Sequence, residues 1–142
     1  MQHDELIGKV QAVAQLPDRG SAEQAARAVL RTLAERIPPG TAAHLAAQLP
    51  TGLDASVRGS TAAEERAGLP PAQAERFDLV AFAGRVAGRL GTTEDAAVQR
   101  STAVLEVLDA AVAPELMTKV AHELPPDIRE LFPTRRANGL GR

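Results

Sequence analysis

Three histidines, four serines, eighteen carboxylates and sixteen cations are the groups with which this chain could do chemistry, and it has no cysteine. The missing thiol removes disulfides, Cys-ligated zinc, iron–sulfur clusters and a thiolate nucleophile. A histidine-bound metal needs several converging ligands, commonly two imidazoles four residues apart on one helical face. His3, His44 and His122 lack that spacing and read as solvated helix histidines. Among the serines, Ser21 has the spacing of a capping box with Gln24, Ser56 and Ser60 lie around a connector, and Ser101 falls in an apolar stripe. None sits in a Gly-x-Ser-x-Gly elbow or a Ser-x-x-Lys motif. Nearly all the carboxylates have cations nearby or stand at helix starts. No pair is marked for general acid–base work, which needs environments that separate two pKa values. Gly84 and Gly88 interrupt a helical pattern, where close helix packing accounts for them, and no Walker pattern is present to cradle phosphate. No catalytic, cofactor-binding or metal-ligating residue is assigned, no cofactor is expected, and the chain is not read as an enzyme.

Arginine is the remaining chemistry, outnumbering lysine 14 to 2. That bias fits a GC-rich genome and also suits contacts with carboxylates. Arg85 with Arg89, and Arg135 with Arg136, are the candidate basic patches. A nucleic-acid reader, however, needs cations and amides aimed at base edges, an attractive overall charge, and rings for stacking. The formal net charge is −2, and the chain has three Phe but neither Tyr nor Trp. The segment Ala42-Ala43-His44-Leu45-Ala46-Ala47-Gln48 has no Lys or Arg, and its counterpart in the second half offers Lys119. Nucleic acid is therefore disfavoured as a partner.

The elements that would position these groups are helices. Hydrophobic residues make up 44% of the 142, yet 28 are Ala and 16 Leu, so the core must be small aliphatic side chains in close packing. No apolar run approaches the roughly 18 residues of a membrane span. Met1-Gln2-His3-Asp4-Glu5 lacks the basic and apolar stretches of a signal peptide. A cytoplasmic location with no membrane contact is expected.

The chain also repeats itself. Residues 21–53 align with 96–128 at a constant offset of 75, and ten of the 33 positions are identical, among them Val29/Val104, Leu30/Leu105, Leu33/Leu108, Leu49/Leu124 and Pro50/Pro125. An offset of 76 matches Gly8-Lys9-Val10 to Gly84-Arg85-Val86. In each copy apolar residues recur at helical spacing in three segments. The first copy places Leu6, Val10, Val13 and Ala14 on one stripe. Its second helix opens after Gly20 with Ser21 as cap and buries Ala22, Ala25, Ala26, Val29, Leu30, Leu33 and Ile37. The opposite face of that helix pairs Glu23 with Arg27 and Arg31 with Glu35 at i,i+4. Leu45 and Leu49 lie on a third helix. The second copy runs from Asp78 as cap through Phe82, Val86 and Leu90. Thr93 then caps a helix that buries Ala97, Ser101, Val104, Leu105, Leu108 and Val112. Pro114 opens a helix carrying Met117, Val120 and Leu124. The expected architecture is all-α, with two tandem three-helix repeats packed with pseudo-twofold symmetry into one bundle. The first repeat spans 1–57, a connector 58–76, the second repeat 77–132 and a mobile tail 133–142. Within the connector, 61–67 could form one or two helical turns before Gly68-Leu69-Pro70-Pro71.

Ala28-Val29-Leu30 with Gln48-Leu49-Pro50, then Ala103-Val104-Leu105 with Glu123-Leu124-Pro125, and finally Asp127-Ile128-Arg129-Glu130-Leu131-Phe132, occur here in a distinctive order. This order resembles the bacterial domain-of-unknown-function 2267 family over roughly residues 4–132. The resemblance implies a duplicated all-helical domain and no assigned activity. Members of that family often carry an aromatic-rich segment after the first Leu-Pro, which residues 51–61 here lack.

The expected role is a helical protein-interaction or accessory module with another protein as partner. The alternative is a regulator that touches nucleic acid through surface arginines. A third class, small-ligand binding in an apolar cavity, predicts a thermal shift with metabolites.

Overall fold

Helices form where apolar residues recur at helical spacing, with a capping side chain at three of the starts and proline at three more. The computed structural model describes residues 1–58 and 76–133. Ser60, the turns expected at 61–67, Arg135 with Arg136, and all but the first residue of the expected tail lie outside the described residues. The first half supplies α1 (His3–Ala14), α2 (Arg19–Arg36) and α3 (Pro39–Gln48). The second supplies α4 (Leu79–Leu90), α5 (Glu94–Ala111), α6 (Pro114–His122) and the short α7 (Pro126–Arg129). Residues 54–58 are also helical, and no strand occurs among the described residues. The protein is all-α.

Most helix starts are where the sequence puts them. The Asp78 carboxylate accepts the Ala81 N–H, the Thr93 hydroxyl accepts the Ala96 N–H, and Pro114 opens α6. The exception is α2, which begins before Gly20. Its cap is Asp18 rather than Ser21, with Oδ1 accepting the Ser21 N–H at 2.7 Å. An ionised carboxylate gains from both the free amides and the positive end of the helix, and so outcompetes a serine one turn later. The Ser21 amide, with its hydroxyl second, holds the Asp18 carboxyl below its ordinary range.

Lengths and packing recur. Helices α1 and α4 have 12 residues each and begin 76 positions apart; α2 and α5 have 18 each and begin 75 apart. Helix α1 packs on α2 and also on α5, whereas α4 packs on α5 and also on α2. Helices α2 and α5 lie against each other, as do α3 and α6. Val29, Leu30 and Leu33 on α2 and Val104, Leu105 and Leu108 on α5 are all fully buried. At the α3–α6 contact, Gln48 Oε1 accepts the Ala113 N–H at 2.8 Å, and Glu123, 75 positions further on, accepts the Thr41 hydroxyl at 2.7 Å. On α1 the buried residues are Leu6, Ile7 and Val10; Val13 is 44% exposed, because contact with two helices turns Ile7 inward in its place.

The closing motif has structural work. Asp127 Oδ2 accepts the first amide of α4, from Leu79, at 2.9 Å. Arg129 donates to the carbonyls of Ala121 and Leu124 at the end of α6. One carboxylate and one guanidinium thus satisfy groups that helix ends leave open.

The glycines of α4 do not mark close packing. A Cβ on Gly84 would meet Glu94 Oε1 at an ordinary 3.6 Å, and one on Gly88 would meet nothing within 4 Å. Gly91 is different: it ends α4 at φ 65°, the left-handed conformation in which glycine avoids a Cβ clash. Since Gly88 has helical geometry and free space, Gly88→Ala is expected to raise stability by about 0.5–1 kcal/mol. Thermal unfolding followed by circular dichroism checks this; a lower melting temperature would contradict it.

Candidate functional site

Ionisable side chains converge on the seam between α2 and α4. The residues Gln24, Arg27, Ala28, Arg31 and Glu35 lie at helical spacing on α2, while Arg85 and Arg89 stand four apart on α4. Glu35 was expected to pair locally with Arg31. Instead it turns toward α4, where Oε1 accepts from Arg85 Nη1 at 3.1 Å and Oε2 from Arg89 Nη2 at 2.6 Å. Its side chain is 16% exposed, against 33% and 27% for the two arginines. Arg89 Nη1 also donates to the buried Thr32 hydroxyl at 2.6 Å, which donates in turn to the Ala28 carbonyl. The Arg85 guanidinium lies 4.0 Å from the centroid of the Phe77 ring. Arg36 donates to the Phe77 carbonyl at 2.9 Å. A partly desolvated charge is tolerable when hydrogen-bonded opposite charges surround it.

Burial alone would push the Glu35 carboxyl up. The hydrogen bond and charge of Arg89, then those of Arg85, outweigh it and hold the carboxyl below the usual glutamate range. A lowered folded-state pKa means that the ionised form favours the folded chain. That stabilisation is complete above the ordinary value, about pH 4.3, and is lost as pH falls through the lowered folded-state value. Acid titration of stability should therefore be shallower for Glu35→Gln than for wild type in this window. Equal slopes in urea unfolding at stepped pH would show the cluster is not linked to folding.

Beside the cluster runs an open groove of about 830 Å³, between the outer face of α2, Ser56, and residues 88–91 at the end of α4. Arg27, Arg31 and Arg89 line it. The candidate basic pair Arg85 and Arg89 is thus brought together, but Arg85 faces Glu35 and Phe77.

The histidines remain apart. His44 and His122 are exposed, whereas His3 is half-buried, with Nε2 at 2.8 Å from Glu23 and Nδ1 at 3.7 Å from Asp4. His3 is therefore more than a solvated histidine. No three His, Asp or Glu side chains are grouped to hold a metal among the described residues. Ser101 is fully buried and donates to the Ala97 carbonyl at 2.7 Å, so it serves its own helix. Asp109 is 5% exposed and has a partner. No described helix is long and apolar enough to cross a membrane.

These features define an all-helical domain whose partly buried charges clasp two helices together and border an arginine-lined groove. The chain matches the DUF2267 family, described as an uncharacterized conserved protein, over residues 3–131, and it belongs to that family. No curated protein matches it.

Proposed function

We propose that the chain is a non-enzymatic interaction or accessory module that acts on another protein in the cytoplasm. Its architecture is two tandem three-helix repeats, joined by a connector and related by an approximate twofold axis. Support for the repeats comes from the equal lengths of α1 and α4 and of α2 and α5, the offsets of 75 and 76, and the reciprocal packing of each first helix on the other half's second helix.

The observation that carries the functional reading is what becomes of Glu35. This partly buried carboxylate is paired with two guanidiniums that hold its pKa below the ordinary range, which makes it a weaker base than a free glutamate. The convergence of charge serves helix–helix attachment and leaves the outer faces of a firm scaffold for recognition. The reading is tested by affinity purification from the native host, with mass spectrometry of what co-purifies in stoichiometric amount. A stoichiometric protein partner is expected. Salt-sensitive retention on DNA without such a partner would overturn the reading in favour of a nucleic-acid regulator.

A further inference from the structure

The groove beside the Glu35 cluster has charge of one sign. Arg27 and Arg31 from α2 and Arg89 from α4 line it, together with Gln24 and Ser56, and no carboxylate is among its described lining residues. Arg31 is exposed and has no ion-pair or hydrogen-bond partner among the described residues. Arg27 donates one N–H to the Gly52 carbonyl at 3.0 Å and lies 3.8 Å from Glu23, beyond hydrogen-bond distance. Arg89 is fixed by Glu35 and Thr32 at the rim. The residues 75 or 76 positions away from these three arginines are Thr102, Glu106 and Val13. Cations kept merely for solubility would have no reason to gather on one of two related faces.

We propose that this groove receives an acidic segment of a partner protein, its carboxylates gripped by Arg31 and Arg27. This rests on the interaction-module reading and names the chemistry of the partner. The planar guanidinium fork matches a carboxylate through two parallel hydrogen bonds. The apolar residues of its lining are Ala28, which is buried, and Leu90, which is half-buried. Gly88 keeps the α4 wall free of a side chain, and a Cβ there would point into open space. An open channel suits an extended chain, whereas a small ligand is usually enclosed over most of its surface. A nucleic acid fits less well, because the overall charge is −2 and no ring lines the groove for base stacking.

The test uses the full isotope-labelled chain, titrated at low salt with a short synthetic peptide of alternating Glu and Leu and followed by amide chemical shifts. Saturable shifts are expected at Gln24, Arg31, Gly88 and Gly91, fading as salt screens the contacts. Arg31→Glu should weaken the peptide at least about tenfold, since it sets like charges face to face. Arg31→Gln should weaken it less, and neither change should alter the circular dichroism spectrum or melting temperature. The proposal is overturned if the peptide shifts no groove amide, if Arg31→Glu binds it as tightly as wild type, or if a short oligo-dT saturates the groove in its place. Should wild type and Arg31→Glu capture the same stoichiometric partner from the host, the groove assignment falls and the module reading stands.

Discussion

Leu105→Ala is expected to lower the free energy of unfolding by about 2–5 kcal/mol, the range for an emptied aliphatic core site. Leu105 is fully buried in α5, the helix that packs on α1, α2 and α4. Much of the buried core is alanine and valine, which have no long rotamers to swing into a vacated space. The cavity therefore persists, and the loss belongs in the upper part of that range. Leu30, 75 positions earlier and equally buried, should show a loss of the same size when changed to Ala. The chain has no Trp and no Tyr, so urea unfolding is best followed by far-UV circular dichroism. A loss below about 0.5 kcal/mol, the scale of an ordinary surface substitution, would place Leu105 outside the core.

Phe82→Ala should be costlier, about 3–5 kcal/mol. Phe82 is one of three aromatic residues in the chain and is fully buried in the first turn of α4. It occupies the place where Asp78 and Asp127 together fix the start of that helix. Against a total stability of about 5–15 kcal/mol for an ordinary domain, the loss leaves little margin. Phe82→Leu retains most of the buried bulk and should cost under about 1.5 kcal/mol. If the two variants unfold at the same urea concentration, volume at this site is not what holds α4 in place.

Much of the fold was legible because helical periodicity and capping are local signals. The inward faces of α2 and α5, the caps Asp78 and Thr93, and Pro114 at the start of α6 follow from spacing alone. Membership of the DUF2267 family was legible too, since its motifs recur in order. The start of α2 was misread because Asp18 and Ser21 each have a capping spacing, and sequence does not weigh an ionised cap against a neutral one. Glu35 was misread for a different reason. Arg31 lies four residues away in the chain, but the arginines that bind it are 50 and 54 residues distant, and contact at that range depends on how α2 meets α4. One signal was available: at the offset of 76 that matches residues 8–10 to 84–86, Val13 lies opposite Arg89. The reading of Gly84 and Gly88 failed because a sequence pattern cannot separate a crowded glycine from one with open space.

The support that α1 takes from α5, and α4 from α2, also constrains how the chain is made. A nascent polypeptide translated through residue 58 holds α1 with part of its resting place not yet synthesised. At about 5–20 residues per second, roughly 3–10 seconds pass before residue 111 is joined. During that wait the leucines and valines of α1 and α2 are open to chaperones, or to the late half of a neighbouring nascent chain.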